Sequence, residues 1–488
     1  MTQFVSLILG ALALFGGPLF AAEQKFSQEV QQFVRVQTPT VILTHVRVID
    51  GTGKPAVADQ NVVIENGKIL RVEAGADVTQ AAGTTVIDLH GYSVMPGIVG
   101  MHDHLYYIAV PNLEPEQHPA GEKPLLVPQM LFTSPRLYLG AGVTTMRTTG
   151  SVEPYADLNM RDQIEAGALP GPHMDVTAPY IEGKNSPFIQ MHQLANAAEA
   201  KQFVDYWAGV GATSFKAYMF ITRAELKAAI DAAHRRGLKV TGHLCSVTYP
   251  EAAELGIDDL EHGFWVNTQL SPGKKPDECP ESGGEDTITN MDPEGPEAAA
   301  LIRLLVSHHV AVTSTLAVFE GDMAGRPPLQ GRMLEALTAE ARDAYLYRRN
   351  RRFEKPRGDT AVRWAHALQM ERKFVAAGGL LLAGPDPTGN GGVLPGFGDQ
   401  REIELLVEAG FTPVEAVRIA TLNGAVYEGR QTTIGSIEAG KNADLVVMRG
   451  DPSQRIEDIE NTEIVFKDGI GYDSAGLIRS VSGRYGQY

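Results

Sequence analysis

Between residues 96 and 429, short apolar stretches alternate with helical patterns, and this alternation constrains the fold more than any other feature of the sequence. The strand candidates are GIVGMHDH, GVTTMRTTG, MDVTAPY, TSFKAYM, KVTGHLC, DLEHGFW, VAVTSTL and LLLAGPD, eight in all. The intervening helices carry explicit start and stop signals. Thr222-Arg223-Ala224-Glu225 is a capping box opening a helix that Gly237 closes. Thr412-Pro413-Val414-Glu415 is a second box, with proline at the first helical position. Eight βα units predict a (β/α)8 TIM barrel, a fold that gathers its functional residues at the C-terminal ends of its strands.

The flanks read as β structure. TVILTHVRVID alternates apolar and polar residues before Gly51-Thr52-Gly53 turns the chain. NVVIENGKILRVEA is a hairpin pattern around Asn66-Gly67, a strong two-residue turn signal. TTVIDLHGYSVMPG adds another strand, and GSIEAGKNADLVVMRGD and TEIVFKDG repeat the pattern near the C-terminus. Residues 38–95 and 430–488 are therefore expected to build one composite β-sandwich domain around the barrel of residues 96–429. Three long connections, at 105–130, 267–295 and 387–400, follow the first, sixth and eighth strands and should rise on the functional face.

Residues 1–22 read as an export signal. Phe4 to Ala22 is almost wholly apolar, Gly16-Gly17-Pro18 breaks it, and Ala21 and Ala22 precede the polar run Glu23-Gln24-Lys25. The first residues lack Lys and Arg, and Leu19 stands where a small residue is usual, so an uncleaved membrane tether is the alternative. No other stretch approaches the ~18 apolar residues of a spanning helix. The expectation is an exported protein, periplasmic or secreted, with no stable membrane insertion once the signal is cleaved. Lys+Arg number 42 and Asp+Glu 59, a formal net charge of −17 that argues against nucleic acid as a partner. Cys245 and Cys279, the only two cysteines, cannot form a four-cysteine zinc site. An oxidising compartment would permit a bridge between them.

His102-Asp103-His104 closes the first strand candidate. Residues two apart on a strand share a face, so both imidazoles can point into the barrel mouth while Asp103 faces the helical layer. Lys216, His243, His262 and Asp386 stand at the ends of the fourth, fifth, sixth and eighth strands. Lys216 falls within the buried pattern SFKAYM, where a bare ammonium is costly. Other histidines fail this placement test. His308 and His309 precede the seventh strand, at the opposite end of the barrel. His234 and His366 lie in helices and His45 and His90 in the β flank, whereas His118, His173 and His192 are assigned to loops, where they stay candidate substrate contacts. Tyr218 shares a strand face with Lys216. Arg147, on the second strand, could pair with Asp103 or contact the substrate, and a structural pair is the expectation.

With these residues in place the sequence resembles the amidohydrolase superfamily, and within it the imidazolonepropionase-like and prolidase-like amidohydrolases. The resemblance rests on VMPGIVGMHDH, Lys216 in SFKAYM, His243 in VTGHLC, His262 in LEHGFW, Asp386 in AGPDP and the closing segment TPVEAVRIATLNGAVYEGRQTTIGSIEAGKNADLVV. It implies two divalent metal ions, Zn2+ foremost since imidazole and carboxylate suit it. A CO2-derived carbamate on Lys216 would bridge them. His102, His104 and Asp386 would hold one ion, and His243 and His262 the other. The implied activity is hydrolysis of C–N amide bonds by a metal-activated hydroxide, with Asp386 as base and then acid. Implied substrates are small-molecule amides: dipeptides, N-acyl amino acids or amino-acid-conjugated xenobiotics. Tyr218 could reach a substrate carboxylate or the tetrahedral oxyanion. Two alternatives stand beside this reading. A mononuclear deaminase or cyclic-amide hydrolase on the same barrel is opposed by Lys216, and a non-catalytic scaffold by the complete ligand set. A homo-oligomer is compatible with the sequence. Gly384-Pro385-Asp386-Pro387 departs from many relatives, which carry Thr or Ser before the aspartate.

Overall fold

All eight apolar stretches form strands, and these run parallel in chain order. The computed structural model describes residues 26–488 apart from 77, 79–80, 108–126, 357, 389–391 and 487–488. The export-signal segment and His118 lie outside the described residues. Ile98–Asp103, Val143–Thr148 and His173–Val176 form a three-stranded sheet. Ser214–Ala217, Lys239–Gly242, Asp259–Glu261, Ala311–Ser314 and Leu381–Ala383 form a five-stranded one. A parallel bridge between Thr177 and Ser214 joins the two sheets. At the other seam the N–H of Asp386 donates to the carbonyl of His102 across 3.0 Å, tying the eighth strand's end to the first. This is the strand order of a TIM barrel. The first and second strands are buried along their whole length. Such continuous apolar runs are expected of parallel strands covered on both faces.

The seam is tight. A Cβ on Gly384 would lie 2.6 Å from the Cβ of His102 and closer still to its amide nitrogen, so only glycine lets the eighth strand approach the first. Both expected capping boxes form, opening the helices Arg223–His234 and Pro413–Arg418. A third, Thr248 with Glu251, opens Tyr249–Leu255.

The three long connections foreseen from sequence all contribute residues to the cavity at the strands' C-terminal ends, namely Tyr106, Val127, Ser282, Glu285 and Thr388. The longest excursion was not foreseen. Between the seventh and eighth strands stand four helices: Leu316–Glu320, Gly331–Ala336, Ala339–Glu354 and Thr360–Ala376. The last two contain no glycine or proline, and their interiors follow ordinary helical propensity.

The flanks form a β domain whose nine strands share one hydrogen-bonded network. The spatial order is Val34–Val36, Ile470–Asp473, Thr462–Lys467, Leu445–Arg449, Tyr92–Pro96, Thr40–Val48, Val57–Glu65 and Lys68–Ala74, with Thr84–Asp88 pairing to Thr40–Val48. Thr40–Val48 makes this continuity. Its first half pairs with Thr84–Asp88 and its end with Tyr92–Pro96, and His45 at φ 56° redirects the chain between them. The stretch TTVIDLHGYSVMPG is therefore two strands, broken at Gly91 with φ 82°. The sheet also starts before residue 38, because Val34–Val36 pairs with Ile470–Asp473. Val41, Leu43, Val62, Ile64, Val94, Leu445, Val447 and Phe466 form its own core. The Asn66-Gly67 turn has φ 49° and 79°, the double left-handed pair of a type I′ hairpin. Cys245 and Cys279 form a disulfide with a Cα–Cα distance of 4.9 Å, holding the connection after the sixth strand against the end of the fifth. Among the described residues no helix is long and apolar enough to cross a membrane.

Candidate active site

A cavity of about 420 Å³ opens at the C-terminal ends of the barrel strands, and His102, His104, Lys216, Tyr218, His243, His262 and Asp386 all line it. The i, i+2 rule holds for the first strand. His102 and His104 face the cavity, and Asp103 turns outward toward Tyr138 and Asp399 on the surrounding helices. Burial and the neighbouring Asp399 push the Asp103 carboxyl well above the usual range.

The donor atoms converge. Asp386 Oδ1 lies 3.1 Å from His104 Nε2 and 3.6 Å from His102 Nε2, and Asp386 Oδ2 lies 3.9 Å from His262 Nδ1. Lys216 Nζ is 3.1 Å from His102 Nε2. Donor atoms of His102, His262 and Asp386 fall within 4.8 Å of one another. His243 stands outside that tight trio, with its ring 4.3 Å from His262 and 5.0 Å from Tyr218. His262 and Asp386 both adopt the left-handed backbone, φ 68° and 54°. For non-glycine residues such conformations are costly and concentrate at functional sites.

A second layer orients these groups. His102 Nδ1 is 2.6 Å from Glu261 Oε2, which leaves Nε2 for the cavity, and His262 Nδ1 is 2.9 Å from Thr315 Oγ1. Carboxylates and hydroxyls that fix ligand imidazoles in this way are usual around metal centres. Arg147 does not pair with Asp103. It crosses the barrel floor to Asp259 at 2.8 Å and Glu261 at 3.0 Å, and donates to the carbonyl of Met101. Its side chain points to the barrel interior, whereas Asp103 points to the helices.

Charge states follow from burial. It lowers all four imidazoles, Lys216 adding to the effect, and His243 falls to about 3. The four are neutral lone-pair donors at neutral pH. Burial alone would raise Asp386, but His102, His104 and Lys216 outweigh it and hold the carboxyl well below the usual range. Burial lowers Lys216 to about 8, against the pull of Glu261 and Asp386. The Nδ1 of His104 is buried with no hydrogen-bond partner among the described residues. Neutral imidazoles and an ionised carboxylate converging on one cavity are a donor set that fits divalent metal ions.

Several residues in and around the cavity escaped the sequence reading. Glu261 stands beside His262, and a straight strand would send the two to opposite faces; the left-handed turn at His262 brings both inward. The i, i+2 carboxylates Asp259 and Glu261, with Arg147 on another strand, were the available signal. Tyr106 and Tyr180, with hydroxyls bonded to each other, and Trp265 stacked on Phe319 at 4.4 Å, read in sequence as ordinary core aromatics. His173 is not in a loop: it opens the third strand at the end remote from the cavity, 2.7 Å from Glu165 and 2.9 Å from Asp468.

Parallel strands carrying this donor set at their C-terminal ends define a TIM-barrel protein with a candidate metal centre. The chain belongs to the amidohydrolase family, whose model matches residues 93–268 and 396–470. Asp386 and the four-helix excursion fall between the two matched pieces. No curated protein matches the sequence significantly. Among solved structures, a Xaa-Pro dipeptidase with bound methionine in the active site is 20% identical, with a TM-score of 0.64 over 89% of this chain and 100% of its own. A bottromycin amidohydrolase is 20% identical with a TM-score of 0.65, over 96% and 94% of the two chains. An A. niger ochratoxinase is 17% identical with a TM-score of 0.62, over 92% and 100%. At these identities the likeness bears on the fold.

Proposed function

We propose that this hydrolase cleaves the amide C–N bond of dipeptides or N-acyl amino acids, using two divalent metal ions, Zn2+ foremost. The observation that carries the reading is the convergence of His102, His104, Lys216, His243, His262 and Asp386 on one cavity. His102, His104 and Asp386 would hold one ion, and His243 and His262 the other. Bound ions would polarise the scissile carbonyl and lower the pKa of water toward ~7.

The chain's own residues supply the rest. Lys216, lowered to about 8, offers a share of neutral amine at neutral pH. A neutral amine adds CO2 and loses a proton, becoming an anionic carbamate with two donor oxygens. That change would turn a cation that repels metal ions into an anionic group able to ligate them. Asp386, ionised and beside His104, takes a proton from the attacking water and returns it to the leaving nitrogen. Glu261 and Thr315 hold the rings of His102 and His262 in place during this exchange. Tyr218 lines the cavity and is assigned to the substrate carboxylate. A cavity of about 420 Å³ lies within the range that small ligands occupy, and Phe188, Met191, Trp265 and Phe319 give it an apolar wall. The Cys245–Cys279 bridge supports an exported location. A mononuclear centre is the second reading, and the tight trio of His102, His262 and Asp386 favours it.

The test pairs elemental analysis with a panel of Xaa-Pro dipeptides and N-acyl amino acids. Two ions per chain and turnover of one class are expected; a single ion selects the second reading. Asp386→Asn should fold normally and lose at least about 10³-fold in kcat, since base, acid and ligand functions vanish together. Unchanged turnover in that variant overturns the proposal.

A further inference from the structure

We propose that the hydroxyls of Tyr106 and Tyr180 act together as a single hydrogen-bond donor to the carbonyl oxygen of the substrate, the atom that gains negative charge when the amide carbon is attacked. The inference rests on the amide-hydrolase reading above.

The two tyrosines come from opposite sides of the first sheet. Tyr106 follows the first strand and stacks its ring on His104 at 4.4 Å. Tyr180 follows the third strand, with its ring centroid 5.4 Å from Lys216 Nζ and 4.7 Å from the ring of Tyr218. Both line the cavity and are almost wholly buried. Their hydroxyls are hydrogen-bonded to each other. Two hydroxyls carry two hydrogens, and the mutual bond uses one. Neither hydroxyl has another hydrogen-bond partner among the described residues. The second hydrogen is therefore left for whatever occupies the cavity.

Position and polarisation both suit that role. The pair sits at the edge of the donor cluster, between His104 and Lys216. A hydroxyl that accepts one hydrogen bond becomes a better donor of the next, most of all away from water. Donors of this kind act by being fixed in advance where charge develops. The fold holds Tyr180 firmly: its ring presses against Gly150, whose φ is 94° and where a Cβ would collide with the ring. Neither tyrosine gives up its proton; each O–H bond stays intact throughout the reaction.

The experiment uses the metal-loaded full chain and the best substrate among the Xaa-Pro dipeptides and N-acyl amino acids. Tyr106→Phe, Tyr180→Phe and the double variant are compared for kcat, KM, metal content, melting temperature and binding of a phosphonamidate copy of that substrate. At least one single variant should lose about 10²-fold in kcat with little change in KM, in line with removal of one oxyanion donor. The double variant should be no worse than the more damaging single one. Binding of the tetrahedral phosphonamidate should weaken in step with kcat, with metal content and melting temperature unchanged. Single variants that both keep wild-type kcat overturn the donor role alone. So does a loss of metal or of stability that accounts for the loss of rate. An inactive wild-type enzyme overturns the amide-hydrolase reading and this role with it.

Discussion

At the level of single residues, the side chains that converge on the cavity were easier to find than those that orient them. His102, His104, Lys216, His243, His262 and Asp386 were legible because each is a polar residue closing an apolar run, where a barrel exposes side chains at its mouth. Glu261 was not, because its direction depends on the left-handed turn at His262, which strand periodicity does not contain. Tyr106 and Tyr180 were hidden for a different reason: an aromatic residue in an apolar stretch looks the same whether it fills a core or faces a ligand. Glu261 has a measurable weight. Glu261→Gln keeps the shape but removes the charge that holds the Nδ1 side of His102, and it leaves Arg147 with one buried carboxylate partner, Asp259. Metal affinity should fall about 10–100-fold, as for other partners behind a ligand histidine. Competition with a chromogenic chelator measures it, and an unchanged affinity would remove Glu261 from the centre.

Among the elements, the barrel strands and capped helices were legible because periodicity and capping chemistry are local. The single nine-stranded sheet was not, because its continuity depends on one strand changing partners at His45. The four-helix excursion was not, because helical signals were expected between all strands and gave no hint of a whole subdomain. Two elements make sharp predictions. Gly384→Ala drives a Cβ into His102 at the seam between the eighth and first strands, and should destabilise by about 3 kcal/mol, the upper end for overpacking. Urea unfolding reports it, and because His102 is displaced the variant should also bind metal more weakly. The Cys245–Cys279 bridge closes a span of 34 residues, for which chain entropy gives about 3–4 kcal/mol. Reductant should lower the melting temperature of the wild type but not of Cys279→Ser. An equal response in both would mean the bridge contributes nothing.

For the molecule as a whole, the β domain meets the barrel through a shared apolar core, with Met95, Val446 and Met448 among barrel side chains, and through a cluster of charges. His173 at the start of the third strand reaches Asp468 from the β sheet and Glu165 from the barrel's own helix, with Lys467 and Asp444 close by. Burial opposes the charged imidazole, but the neighbouring carboxylates of Asp468 and Glu165 outweigh it, and the His173 pKa is raised. The folded state thus holds this proton more tightly than the unfolded chain. The contribution is full below the ordinary histidine value of ~6.5 and is lost as pH rises through the raised folded value. Denaturation of wild type and His173→Gln across this range should show a stability difference that shrinks with rising pH. A difference independent of pH would mean that His173 contributes by packing alone.

The excursion between the seventh and eighth strands has a consequence for how such an enzyme changes. It supplies Val318, Phe319, Asp322, Arg348 and Arg363 to the cavity wall but none of the converging donor groups. It leaves the barrel after Ser314 and returns at Leu381, on adjacent strands whose register, Ser314 beside Ala383, is set by the ladder itself. The segment is in effect a cassette plugged into a fixed socket. Descendants can exchange the cassette and so acquire a new diet while inheriting the same chemistry.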